Sequence, residues 1–350
     1  MENINTTPFA KEIKRQCYII AEIGVNHAGD VALAKKMIDA AKNAGADAVK
    51  FQTFTAEKLV SQDTPKVKYQ ESTTDSDESH FQMIKSLEFA YEDHLPVFEY
   101  CIHNDIDFIS TPYDIESAEF LVSIGVRIFK TASADIVDLS LHRFIAANAA
   151  SAIVSTGMAT IGEIEEVVEI YRNFNCDLTL LHCVSNYPCA TESLNLSVLT
   201  TLRNAFRCDV GFSDHALGPL PAVASVALGA TIVEKHFTLD KAMPGPDHRA
   251  SCEPQEFSEL VDAIRAVELA LGDPVKRVQD EEKQMRSVSR KSLFIKNSIQ
   301  KGEVIKDSDL TLKRPGTGLY EAEKKQIVGA LATKELIVGA QIKHGDYELT

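Results

Sequence analysis

Eight short apolar runs between residues 18 and 237, most followed by an amphipathic stretch, constrain this chain more than any single motif. They predict strands at 18–23, 48–52, 107–111, 127–131, 152–155, 178–182, 209–213 and 232–237. Between several of them lie helical patterns, such as VALAKKMIDAAKNAG (31–45) and GEIEEVVEIYRNF (162–174). In the first, Leu33, Met37, Ala40, Ala41 and Ala44 recur at three- and four-residue spacing and Gly45 supplies a stop. A last helix is expected over 254–271, closed by Gly272-Asp273-Pro274. Strands that alternate with helices make parallel βαβ units, and eight such units predict a (β/α)8 TIM barrel. A doubly wound open sheet is the alternative architecture.

The segment 53–79 breaks this rhythm. It is polar and rich in Ser, Thr and Asp, and reads either as a lid on the catalytic side or as a mobile surface insertion. After residue 274 comes a charged linker, 275–286, and then a mostly β module over 287–350 built from SLFIKNSI, LTLKRPG, QIVGALAT and ELIVGAQI. From residue 286 onward there are 12 Lys and Arg against 8 Asp and Glu, whereas the whole chain carries a net charge of −15. A basic lobe beside an acidic barrel favours docking, in one chain or across a dimer; uneven surface charge is the plainer alternative.

Charge and hydropathy exclude several classes. Lys and Arg total 36 against 51 Asp and Glu, a balance that argues against a nucleic-acid binder, which needs a basic face. The longest apolar stretch, 220–233, is interrupted and too short to span a bilayer. Residues 1–16 carry no run of the kind a secretion signal has. The seven cysteines include no CxxC pair and read as reduced thiols, so a soluble, cytoplasmic protein is expected.

Functional side chains of an α/β barrel gather at the C-terminal strand ends. His215 in GFSDHALG and His236 in VEKHF are 21 residues apart, about one βα repeat, so neighbouring strands would present both at one rim. Two imidazoles with water and substrate oxygens can hold a divalent cation, and Asp214, Glu234 and Asp247 lie nearby. Two structural histidines are the alternative. Lys50 and Lys130 end apolar strands, where a buried ammonium faces an anion, is chemically activated, or else points outward. Thr111, Ser133, Ser155 and Ser213 sit at equivalent heights and, with lysine and backbone N–H groups, would cradle a phosphate. Glu22 and Asp135 are carboxylates in apolar surroundings: candidate acid/base or sugar-hydroxyl groups, or a packing salt bridge of Glu22 to Lys50.

Taken in order, AEIGVNHAGD (21–30), KFQTF (50–54), FKTASADI (129–136), STGM (155–158), HCVSNYP (182–188), GFSDHALG (211–218), EKHFTLDKAMPGPDH (234–248) and LKRPGTGL (312–319) resemble the sialic acid synthase family. This family includes N-acetylneuraminate synthase and its bacterial legionaminate and pseudaminate relatives. The resemblance implies a TIM barrel followed by an antifreeze-like (SAF) domain in a domain-swapped homodimer. It implies condensation of phosphoenolpyruvate with an N-acetylated hexosamine to a nine-carbon 2-keto sugar acid. By position, His215 and His236 would bind the metal, usually Mn²⁺, with Mg²⁺ or Co²⁺ as alternatives. Lys50, Thr111, Lys130, Ser133, Ser155 and Ser213 would bind phosphoenolpyruvate. Glu22, Gln52, Tyr187 and Asp247 would handle the sugar, and Arg314 its acetamido group. Asp135 stands where several bacterial members carry Glu. Ser185 stands where some carry Asn, so either Ser185 or Asn186 meets the phosphate. A Schiff-base aldolase using Lys50 or Lys130, or a non-catalytic carbohydrate- or ice-binding protein, are the competing functions.

Overall fold

In a computed structural model that describes residues 16–67, 70, 74 and 77–349, contacts divide the chain into Met1–Gly272 and Asp273–Thr350. The first unit is a closed barrel of eight parallel strands in the order of the sequence. They are β1 (Tyr18–Gly24), β2 (Ala48–Thr53), β3 (Asp107–Pro112), β4 (Ile128–Thr131), β5 (Ser151–Ser155), β6 (Asp177–Cys183), β7 (Asp209–Asp214) and β8 (Ile232–His236). The β1–β8 pairing closes the ring, which rules out the open-sheet alternative.

Each strand is followed by a helix whose apolar stripe covers the barrel wall. In the helix Val31–Asn43, Ala34, Met37, Ile38 and Ala41 are buried at three- and four-residue spacing. The Asp30 side chain caps its first turn by accepting from the Ala32 and Leu33 N–H groups. Asp114, Asp138 and Thr160 do the same for the helices Ile115–Ile124, Leu139–Asn148 and Ile161–Asn173. Most of the apolar core lies between wall and helices.

The inside of the barrel follows a second pattern, and this one positions the site. Alternate residues of a strand share a face. The lower interior layer is apolar: Ile20, Ala48, Ile109, Ile153, Leu181 and Ile232 pack together there. Two residues further along the same strands stand Glu22, Lys50, Thr111, Ser155, Cys183 and Glu234. The sequence thus writes one polar storey directly above an apolar floor. On β7 the floor position is Gly211, because Leu181 and Ile232 already fill the space. A Cβ there would come within 2.6 Å of the Leu181 side chain.

Segment 53–79 holds a short helix, Ala56–Leu59, and leads into the helix His80–Ser86. Residues 68–69, 71–73 and 75–76 of this segment lie outside the described residues. The second unit contains two antiparallel pairs, β9 (Ser292–Ile295) with β10 (Leu310–Lys313) and β11 (Leu331–Ala332) with β12 (Tyr347–Glu348). Leu293, Ile295, Ile305, Leu310, Ile327 and Ile342 form its own core. The segment expected as a linker carries the helix Glu282–Ser289, all of whose side chains avoid burial. Its charged and amide residues are good helix formers, so backbone propensity decides there without an apolar stripe. The run 335–342, read as strand-like, pairs only through isolated bridges at Leu336 and Gln341. Among the described residues no helix is long and apolar enough to cross a membrane.

Candidate active site

Strand register decides which polar residues meet. Glu22 stands opposite Lys50 across β1–β2 and opposite His236 across β1–β8. Ser213 stands opposite Glu234 across β7–β8. These side chains open into one cavity of about 370 Å³ at the C-terminal end of the barrel.

Two buried ammonium groups dominate it. Lys50 lies 3.0 Å from Glu22 Oε2 and donates to Thr111 Oγ1 at 3.2 Å. Lys130 donates to Ser155 Oγ at 2.6 Å and to the carbonyl of its neighbour Thr131 at 3.0 Å. Glu234 serves both: its Oε2 is 3.7 Å from Lys50 and its Oε1 is 3.7 Å from Lys130. Ser213 completes the set, donating to Glu234 Oε1 at 2.9 Å.

The two carboxyls are driven apart. Burial pushes both up, but the Lys130 and Lys50 charges overwhelm it at Glu234 and hold that group at about 2. At Glu22 burial wins over the pull of Lys50, with Glu234 adding repulsion, and the carboxyl is lifted to about 7. Glu234 is therefore a fixed counter-charge and Glu22 a group able to exchange protons near neutrality. The lysines divide as well. Burial lowers Lys130 despite Glu234, whereas at Lys50 the two glutamates outweigh burial and raise it.

Opposite this polar storey the His215 and His236 rings face each other with centroids 5.5 Å apart. Tyr187 packs at 4.1 Å from the first and 5.5 Å from the second. His215 Nδ1 lies 2.8 Å from the Val184 carbonyl, which can only accept, so Nδ1 carries a proton and Nε2 is the nitrogen left to bind an ion. Burial, with His215 beside it, holds His236 well below its ordinary value, hence neutral. Its Nδ1 is buried without a hydrogen-bond partner, with Asp247 Oδ2 at 3.9 Å. His236 is neutral, whereas at His215 burial is outweighed by the Cys183 thiol and the Val184 carbonyl, which raise it. In competition with a proton on His215, the pair would therefore bind a borderline divalent cation. Among the described residues no group of three or more His, Cys, Asp or Glu side chains could hold one, so the remaining ligands would be water or substrate oxygens. Burial lifts Asp247 to about 6 against the pull of His215 and Lys50.

The other expected residues divide clearly. Gln52, Ser133, Ser155, Ser185, Tyr187, Ser213 and Asp247 line the cavity. Gln52 donates to Glu22 Oε1 at 3.1 Å and accepts from Tyr113 at 3.3 Å. Thr111 is reached through Lys50. Asp135 is not among the lining residues. After β4 the chain enters a 3-10 turn, Ser133–Val137, with three residues per turn, so Ser133 and Asp135 no longer share a face. Ser133 Oγ points inward and accepts from the Gly157 N–H at 3.0 Å, while burial, with Asp138 adding repulsion against the pull of Lys130, lifts the Asp135 carboxyl to about 7. Asn186 also departs. Cys183, Ser185 and Tyr187 keep the inward face at every second residue, and the Asn186 amide instead donates to the Pro188 carbonyl at 2.7 Å. Arg314 is exposed in the second unit, at a cis bond to Pro315.

Sequence reasoning noted Glu234 only as a neighbour of the histidines and passed over Cys183. The signal for both was present: each sits two residues beyond a floor residue, Ile232 and Leu181. The Cys183 thiol lies 3.5 Å from Ser133 Oγ and 3.8 Å from His215 Nδ1. An apolar wall, with Phe54, Leu59, Val60 and Met83, faces the charged storey, so part of segment 53–79 lines the site.

Residues 37–276 match the model of the NeuB family, and residues 290–348 match that of the SAF domain. The chain belongs to the NeuB family. Among its NeuB relatives, the N,N'-diacetyllegionaminic acid synthase of Campylobacter jejuni is 43% identical over 323 residues, covering 91% of this chain and 97% of that protein. The enzyme of the same description from Legionella pneumophila is 41% identical, covering 93% of each. The crystal structure of a Leptospira borgpetersenii N-acetylneuraminic acid synthetase, in complex with citrate, superposes with a TM-score of 0.70 at 35% identity, covering 77% of this chain and 90% of that one. This NeuB chain is thus similar along most of its length to enzymes that make sialic-acid-type sugars.

Replacing Glu234 by Gln would strip the shared counter-charge from two buried ammonium groups. We expect a loss of about 3 kcal/mol in stability. Inorganic phosphate should raise the melting temperature of the variant more than that of the wild type. Thermal melts with and without phosphate check this; equal shifts would mean that Glu234 does not serve as their counter-ion.

Proposed function

We propose that this NeuB protein condenses phosphoenolpyruvate with the open-chain form of an N-acetylated hexosamine, either N-acetylmannosamine or a bacterial diacetamido sugar. Water is consumed, and the products are a nine-carbon 2-keto sugar acid and phosphate. One observation carries the reading: two buried lysines with their serine and threonine partners share a single cavity with a close pair of imidazoles.

Phosphoenolpyruvate fits the charged storey by electrostatics. Its phosphate would take Lys130, the Ser155, Ser133, Ser185 and Ser213 hydroxyls and the nearby backbone N–H groups, and its carboxylate would lie toward Lys50 and Thr111. Arrival of the anion would offset the burial that lowers Lys130. His215 and His236 would hold a divalent cation, Mn²⁺ above all, with Mg²⁺ or Co²⁺ as substitutes. When bound, it supplies Lewis-acid polarisation of the sugar aldehyde oxygen. Gln52, Tyr187 and Asp247 would orient the sugar. Carbon 3 of phosphoenolpyruvate then bonds to the aldehyde carbon, whose oxygen ends as a hydroxyl. Water adds to carbon 2, with Glu22 taking its proton, and the resulting tetrahedral centre expels phosphate to leave the 2-keto group. Lys130 and the hydroxyls stabilise the departing charge. Asp135 and Asn186 have no part in this scheme, because neither faces the cavity.

A second reading draws on Lys130, whose burial favours the neutral amine that a Schiff-base aldolase needs. The two separate on one set of assays. Purified protein with Mn²⁺, phosphoenolpyruvate and a panel of acetamido sugars should release phosphate. Chelator should abolish the release, and borohydride with substrate should trap no adduct. A trapped adduct with chelator-resistant turnover would establish the aldolase instead.

The Glu22 carboxyl lifted to about 7 sets a pH profile. A base acts only when deprotonated, so kcat/KM should fall about tenfold per pH unit below 7. This limb should vanish in Glu22→Gln, leaving low residual activity without it. A limb that persists in the variant would assign it to another group.

The family resemblance points to a domain-swapped homodimer in which Arg314 of one subunit reads the acetamido group in the barrel of the other. Arg314→Ala should then raise the KM for the sugar at least tenfold and leave the KM for phosphoenolpyruvate nearly unchanged. Steady-state kinetics with each substrate varied would show this, and an equal rise in both would remove the role.

A further inference from the structure

Lys235 stands between Glu234 and His236 on β8, and by alternation it faces away from the cavity. It is nevertheless buried: its side chain is 2% exposed and that of its partner Asp214 0%. The two residues are in register across β7–β8. The Lys235 ammonium donates to Asp214 Oδ2 at 2.7 Å, to the Ala216 carbonyl at 2.6 Å and to the Gly218 carbonyl at 3.1 Å. The other Asp214 oxygen accepts from the Ala216 N–H at 2.9 Å. All three donors of one ammonium group are therefore spent on the stretch of chain that brackets His215.

This arrangement is expensive for what stability alone requires. A buried ion pair is often replaceable by apolar side chains at no loss, since desolvation offsets much of the attraction. Neither Asp214 nor Lys235 lines the cavity, so neither is placed to touch substrate there. What the pair does determine is the path of 214–218 and hence the seat of the His215 ring. From the other side that ring is held by the Val184 carbonyl at Nδ1, while the His215 carbonyl accepts from the Cys189 N–H at 2.9 Å. A short loop leaving a strand carries no such order by itself; here it is nailed to the outer face of the barrel.

We propose that the Asp214–Lys235 pair is a positioning device for His215. It fixes residues 214–218 so that Nδ1 keeps its bond to Val184 and Nε2 alone is offered to the cavity. The proposal extends the reading of His215 as an ion ligand, and one of its two readouts is independent of that reading.

The test compares wild type with Asp214→Leu/Lys235→Met, which removes both charges and leaves no buried ion unpaired, and with Lys235→Gln in case the double variant does not fold. In metal-free protein labelled with ¹⁵N in its histidine rings, at a pH above the titration of His215, the wild-type ring should show a single tautomer, protonated at Nδ1. In the variants its two ring nitrogens should move toward averaged shifts, although the melting temperature of the double variant stays within a few degrees of wild type. Mn²⁺ titration followed by electron paramagnetic resonance should show Kd weakened 10- to 100-fold, the range typical for loss of an outer partner of a metal-bound imidazole. An unchanged His215 tautomer together with a Kd within twofold of wild type would overturn the proposal and reduce the pair to packing. If wild type binds no Mn²⁺ at all, the ligand reading of His215 fails, while the tautomer comparison still decides whether the pair positions the ring.

Discussion

The site depends on one shared counter-charge. Glu234 sits 3.7 Å from each of two buried ammonium groups, whose burial would otherwise be costly. Without it, Lys50 and Lys130 would repel each other across the cavity and shed protons. With it, the barrel keeps two cations side by side in a low-dielectric pocket, which is what an anion with both a phosphate and a carboxylate requires. Ser213, Ser155 and Thr111 then have fixed partners, and the rest of the charged storey follows from where those partners stand.

The same counter-charge separates the roles of two carboxyls that look alike in the chain. Glu234 is locked as an anion by the lysines, while Glu22, with one lysine and one like-charged neighbour, is left near neutrality. A group that titrates where the enzyme works can move a proton; one held at about 2 cannot. Opposite them, burial keeps His236 neutral, and the Val184 carbonyl selects one tautomer at His215. Candidates for acid/base chemistry, anion binding and ion binding thus share one cavity, each set by a different local cause.

Much of this was legible before any coordinates. Placement at strand ends or inside apolar runs singled out Glu22, Lys50, Lys130, Ser155 and Ser213 in the sequence. The structure shows the underlying rule, that a polar residue two positions past a floor residue rises into the barrel mouth. It applied equally to Glu234 and Cys183, which were under-read because one was taken as a neighbour of the histidines and the other as an inert thiol. Asp135 and Asn186, expected at the site, are not among the residues lining the cavity, for a related reason. Position in sequence gives height on the barrel, but only backbone conformation gives direction. A 3-10 turn carried Asp135 off the face of Ser133, and an extended run kept Ser185 and Tyr187 inward while turning Asn186 out.

Sequence by itself determined the eightfold βα rhythm, the apolar floor with its polar storey, and the change to a second, basic unit near residue 273. These are properties of periodicity and composition, which are local and survive in one dimension. Tertiary structure decided which charges neighbour which. Closure of the ring through β1 and β8 set Glu22 beside His236, and register across β7 and β8 matched Ser213 to Glu234 and Asp214 to Lys235. Those pairings join residues up to 214 positions apart, Glu22 and His236 among them, so no local rule could name them. Burial in turn depends on the completed wall, and the protonation of Glu22, Glu234 and His236 is settled by burial and neighbours together, only once the barrel is closed.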